Sequence, residues 1–174
     1  MPEAPRPGLE MWMKRRLTNG WPLGAVLALL ATTGGNVGAQ VTDELDDYWA
    51  EVSRTVEEGD FEGYSAAYHP DAVVIFGMAS QPISSALAGW EHGFTDTRAG
   101  RTESSVAFRF SERRNDDTTA HETGIFRFAA RSGSGDGAAQ YIHFEALLVK
   151  RDGWKMLMEY QQGPATAAEW DALR

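Results

Sequence analysis

Apolar side chains recur at every second position through the last third of the chain. Phe126 and Phe128 are followed by Ile142, Phe144, Ala146 and Leu148, and then by Trp154, Met156, Met158 and Tyr160. A spacing of two is the period of a strand, so these runs can share one face in a folded-back antiparallel sheet. The intervening positions hold His121, Arg127, His143, Glu145, Lys155 and Glu159 and form a polar face. Val106, Phe108 and Phe110 alternate in the same way and add a strand. Turn lengths set the expected register. A turn at Arg151-Asp152-Gly153 places Leu148 opposite Met156 and Phe144 opposite Tyr160, with Gly153 suited to a left-handed position. A loop centred on Gly135 places Arg127 opposite His143. A charged turn centred on Asn115 places Phe108 opposite Glu122 and Phe110 opposite Ala120. Even-numbered positions then share the inner face, and a slip of one residue would mix the faces.

Ahead of the sheet the period changes. Leu45, Tyr48, Trp49, Val52 and Val56 recur at helical spacing, with Thr42 as the expected N-cap. Gly59 ends that helix, and Asp60 caps a second one bearing Phe61, Tyr64 and Tyr68. His69-Pro70-Asp71 reads as a turn, and Ala72 to Phe76 as a short strand buried on both faces. Ile83, Leu87 and Trp90 predict a third helix closed by Phe94. Thr166 with Glu169 predicts a capping box opening a tail helix in residues 164–174.

Residues 1–39 read as a leader preceding a single domain over residues 40–163. Met13-Lys14-Arg15-Arg16 is basic, Trp21 to Ala31 is mostly apolar, and Val37-Gly38-Ala39 precedes Gln40. That is the three-part pattern of a secretory signal over residues 13–39. The apolar run is roughly half of what a membrane span needs, and Pro22 and Gly24 interrupt it. The expectation is therefore an exported chain, periplasmic or secreted, with no stable membrane insertion once the signal is removed. An uncleaved anchor is the competing reading. The formal net charge is −9, and removing the leader takes away more basic than acidic side chains. Such a surface repels phosphate backbones, so nucleic acid is not an expected partner. With no cysteine, the core must hold without disulfides. There is no Gly-rich phosphate loop, no Gly-x-Ser-x-Gly, and no His-Glu-x-x-His, so no cofactor or metal is expected.

Two helices, a short strand, a third helix and a four-strand meander together resemble the nuclear transport factor 2-like (SnoaL-like) superfamily, in its exported bacterial branch of unassigned activity. The residues that carry the resemblance are Trp49, Gly59-Asp60-Phe61-Glu62-Gly63-Tyr64 and Tyr68-His69-Pro70-Asp71-Ala72-Val73. Ala120-His121-Glu122-Thr123-Gly124 and Asp152-Gly153-Trp154-Lys155-Met156 complete the set. The resemblance covers about residues 42–162. It implies an α+β fold in which a cone-shaped, strongly bent, antiparallel or mixed sheet wraps around the N-terminal helices. It also implies an interior pocket and, often, a homodimer formed through the outer face of the sheet.

Within the expected register Glu122 is the only carboxylate among Phe108, Phe126, Phe144 and Leu148, with Gly124 leaving space beside it. Desolvation would raise such a carboxyl towards the range of a general acid or base, and Tyr160 would donate a hydrogen bond beside it. The bland alternative is an ordinary ion pair with Arg109 or Arg127. Trp49, Trp90, Phe108, Phe144 and Met156 are the expected ligand-lining residues. His121, His143 and Glu145 form an alternative group on the other face, and His69 and Asp71 another at the cone mouth. Neither group has the convergent geometry of a metal site. The first functional expectation is a protein that holds a small, largely apolar molecule in the cone. The alternatives are an acid–base enzyme (isomerase, dehydratase or cyclase) with Glu122 as proton carrier, and a dimeric assembly module without a ligand.

Overall fold

The computed structural model describes residues 37–133 and 137–173. The segment expected to be a secretory signal lies outside them except for Val37-Gly38-Ala39, which open the first helix. The elements are α1 (Val37–Glu58), α2 (Phe61–Ala66), β1 (Tyr68–Phe76), β2 (Ala79–Pro82), α3 (Ile83–Arg98), β3 (Thr102–Asn115), β4 (Thr119–Ser132), β5 (Gln140–Lys150), β6 (Trp154–Pro164) and α4 (Ala167–Ala172). One sheet runs β2-β1-β6-β5-β4-β3. Its neighbours are antiparallel except β1 and β6, which are parallel. The expected α+β architecture, a curved and unclosed sheet with N-terminal helices, is what the chain adopts.

Helix α1 buries Val41, Leu45, Trp49, Val52 and Val56, the one-face spacing of an amphipathic helix. Thr42 is inside this helix rather than capping it, and its hydroxyl donates to the Gly38 carbonyl at 2.9 Å. Gly59 turns the chain at φ +66°, and Asp60 accepts from the Gly63 amide at 3.0 Å to cap α2. The centre of the core is aromatic. The Trp49 ring lies 4.4 Å from Phe108 and 5.7 Å from Phe144, centroid to centroid.

Three local expectations change. His69-Pro70-Asp71 lies within an irregular stretch of β1, where Tyr68 pairs Met156 and the next aligned residue, Val73, pairs Met158. The strand is buried on one face only: Ala72 and Val74 are enclosed, but Val73 and Phe76 are exposed. Finally, β2 is an unforeseen edge strand, reached through Gly77 at φ +59°. Its sequence, Ala-Ser-Gln-Pro, has no alternation to betray it.

Parity across the meander holds at the turns and breaks inside strands. Leu148 does face Met156, but Phe108 faces Phe126, Phe110 faces Gly124, and Arg127 faces Tyr141. These slips are even-numbered, so they preserve the faces. Two bulges do not. At Ser111 the register shifts between Phe110 and Glu112, so Arg113 arrives on the inner face opposite Glu122. At Leu157 the β5–β6 register shifts, so Glu159 pairs Ala146 and Tyr160 pairs Glu145. A bulge adds one residue to one strand and exchanges the faces beyond it.

The first bulge creates a buried ionic cluster. Glu122 is fully buried, and its two oxygens accept from Trp49 Nε1 and Arg113 Nε; Arg113 also pairs with Asp46 on α1. The guanidinium carbon sits 4.4 Å from the Phe110 ring centroid. Gly124 is required here for a different reason than expected: a Cβ would run into the Arg109 carbonyl across the bulge.

Two measurements follow from this packing. A Cβ at Gly59 would lie 2.6 Å from the Phe94 carbonyl, whereas one at Gly77 meets nothing. Urea unfolding should show Gly77→Ala costing about 1 kcal/mol from left-handed strain alone and Gly59→Ala about 3 kcal/mol or more. Equal losses would refute the close α1–α3 approach. Removing Glu122 alone (Glu122→Leu) should cost about 3–5 kcal/mol, because Arg113 is left without its buried partner. The double variant Glu122→Leu/Arg113→Met should recover more than half of that loss in a double-mutant cycle.

Candidate functional site

The curved sheet does not close on the helices along its whole length. Between α1, α2, α3 and the inner face lies a cavity of about 440 Å³. Trp49, Trp90, Phe108, Phe144 and Met156, the five residues read as ligand-lining, all stand in its wall. Phe126, Phe128, Tyr64, Tyr68 and Phe94 add further rings. Helix α3 contributes Gly89 and Gly93, one turn apart, and a Cβ at either would meet nothing within 4 Å. The helix therefore offers bare backbone to the void.

Among the described residues, Glu159 is the one carboxyl group in the wall. Its Oε2 accepts from the Tyr68 hydroxyl at 2.6 Å and its Oε1 from Gln161 Nε2 at 2.7 Å. Tyr64 extends the chain, its hydroxyl 3.1 Å from that of Tyr68. Burial raises the Glu159 carboxyl above its usual range, against the pull of its two donors. Burial likewise raises Tyr64 and Tyr68, so both phenols remain protonated. Among the described residues no lysine, arginine or histidine lines the cavity.

Glu122 and Glu159 occupy one row across the sheet, on either side of fully buried Ala146. Strand spacing puts their backbones about 10 Å apart. Their surroundings differ completely. Glu122 points inward as the register required, but the Trp49 indole and Arg113 claim its oxygens and it does not line the cavity. The place expected for Glu122 is held by Glu159. Tyr160, expected beside it, lies on the outer face because of the Leu157 bulge.

The alternative groups stay outside. His121 Nε2 lies 3.3 Å from Glu145 Oε2, and His143 Nε2 lies 3.5 Å from Glu169 on α4. The imidazole of His69 accepts from the Asp71 amide at 3.1 Å, a local bond between neighbouring residues. No group of three His, Cys, Asp or Glu converges among the described residues. Reading the sequence missed Glu159, Gln161 and the Tyr64–Tyr68 pair as site residues. The tyrosines are four apart, a spacing that could have marked them as neighbours; nothing in the sequence signals the bulge.

No protein-family model matches this chain, and no curated protein matches it. Solved structures do. An NTF-2 like protein of unknown function from Shewanella oneidensis is 17% identical, with a TM-score of 0.55 over 69% of this chain and 97% of that one. An NTF2-like protein from Cytophaga hutchinsonii is 13% identical, with a TM-score of 0.55 over 70% and 97%. A nuclear transport factor 2 superfamily protein from Salmonella enterica is 14% identical, with a TM-score of 0.54 over 74% and 94%. With its curved, unclosed sheet, its N-terminal helices and these structural neighbours, the chain has the nuclear transport factor 2-like fold.

Proposed function

We propose that this chain holds a small, largely apolar molecule inside the cone, with Glu159 at its polar end. One observation carries the reading: a 440 Å³ cavity walled by aromatic rings and provided with a single hydrogen-bonded carboxyl group. Ligand sites combine such apolar walls with a few placed polar groups. A cone packed solid by its own side chains, as a pure assembly module would have it, leaves no such space. Export, expected from the leader, and pairing into a homodimer, expected from the resemblance, belong to the same proposal.

A second reading rests on the chemistry of that carboxyl. Its raised affinity for a proton and its contact with the Tyr68 hydroxyl suit a general acid or base of the isomerase, dehydratase or cyclase kind. The proton carrier in that reading is Glu159 in place of Glu122.

Native mass spectrometry of the protein purified from cells that export it is the direct test of retention. Gly93→Leu should crowd the cavity and reduce the retained adduct, while Gly→Leu within a helix raises stability by about 0.5–1 kcal/mol. An adduct retained undiminished in Gly93→Leu would place the molecule elsewhere and sink the reading. Should the retained molecule be chemically converted, Glu159→Gln should slow its turnover by about a hundredfold or more. The pH dependence of folding offers an independent check. Because burial raises the Glu159 carboxyl, its stabilising neutral form is fully populated below pH 4.5 and is lost as pH climbs through the raised value. Stability of the wild type should thus fall over that interval relative to Glu159→Gln; parallel profiles would contradict it.

A further inference from the structure

Resting on the cavity reading above, we infer that the molecule held in the cone is an organic amine, bound as its ammonium ion with its apolar body among the rings. The carboxylates of this chain differ in how their charge is matched. The enclosed carboxylate Glu122 has Arg113, and half-exposed Glu44 has Lys150. Glu159, buried at 8% exposure, has only neutral hydrogen-bond partners among the described residues: the Tyr68 hydroxyl and the Gln161 amide. Both partners donate, so they fix the two oxygens in place as acceptors without supplying a positive charge. An ion left this way in a low-dielectric wall is costly, and a cation brought against it recovers much of that cost.

The surroundings favour a cation independently of the carboxyl. Tyr68 touches Glu159, Tyr64 lies one hydroxyl contact beyond, and the Trp90 and Phe94 rings stand 6.0 and 4.8 Å from the Tyr64 ring. Tryptophan and tyrosine rings attract cations, and aromatic cages with a carboxylate are a recurrent answer to alkylammonium groups. An anionic ligand meets the opposite situation. It would face Glu159 with no basic side chain in the wall to offset the repulsion. A neutral alcohol or ketone can bond the carboxyl but leaves its charge unmatched.

Isothermal titration with three probes of one shape separates these cases: naphthylethylamine, naphthylethanol and naphthylacetate, each against the wild type, Glu159→Gln and Gly93→Leu. The inference expects the amine to bind the wild type at least about tenfold more tightly than the alcohol, with no measurable binding of the acetate. Glu159→Gln, isosteric and uncharged, should erase the amine's advantage while alcohol binding changes little. Gly93→Leu should weaken amine and alcohol together. An alcohol that binds the wild type as well as the amine, or an amine preference that survives Glu159→Gln, overturns the amine and leaves the cavity reading standing. Failure of all three probes to bind the wild type overturns both.

Discussion

A strand offers two faces, and one extra residue exchanges them. In this sheet the exchanges at Ser111 and Leu157 each carry a charged side chain inward. Without the first, Arg113 would lie outside and Glu122 would be an unpaired ion beneath Trp49. Without the second, Tyr160 would line the cone and Glu159 would lie in the outer row. The inward positions of Arg113 and Glu159 depend on these two irregularities. The alternation that builds the sheet is thus interrupted where its polar interior is made.

The two inward glutamates show how far context governs chemistry. Ala146 is small enough to let both turn inward from neighbouring strands. On one side an indole and a guanidinium consume every acceptor that Glu122 has, which makes it part of the scaffold. On the other, a phenol and an amide orient Glu159 and leave its charge unanswered. Both are buried glutamates, Glu122 fully and Glu159 to 8% exposure. What separates a structural ion from a candidate site is whether its counter-charge belongs to the protein.

Much of the architecture was legible because it depends on repetition. The helical spacing of Leu45, Trp49, Val52 and Val56, the Gly59-Asp60 junction, the Leu148–Met156 pairing and the Thr166–Glu169 capping box all follow from local rules. The wall residues Trp49, Trp90, Phe108, Phe144 and Met156 were legible for the same reason. What alternation cannot report is its own interruption. Ser111 and Leu157 carry no glycine or proline to mark a bulge, so the parity argument ran straight through them and exchanged Glu159 with Tyr160. The charged run from Arg113 to Asp117 reads as a turn, yet β3 continues through Asn115 and Arg113 pairs with Glu122 and Asp46.

The open sheet also has two unpaired borders, and their construction bears on how molecules meet in crowded solution. One border is the fourteen-residue β3, broken by a bulge and studded with Glu103, Arg109, Glu112 and Arg114. The other is β2, only four residues long and ending in Pro82, which has no amide to offer. A foreign strand seeking to extend the sheet would encounter kinked geometry and alternating charge at one end and a missing donor at the other. The same irregularity that turns Arg113 inward therefore also discourages fibrous self-association, so solubility and interior chemistry share a single backbone defect.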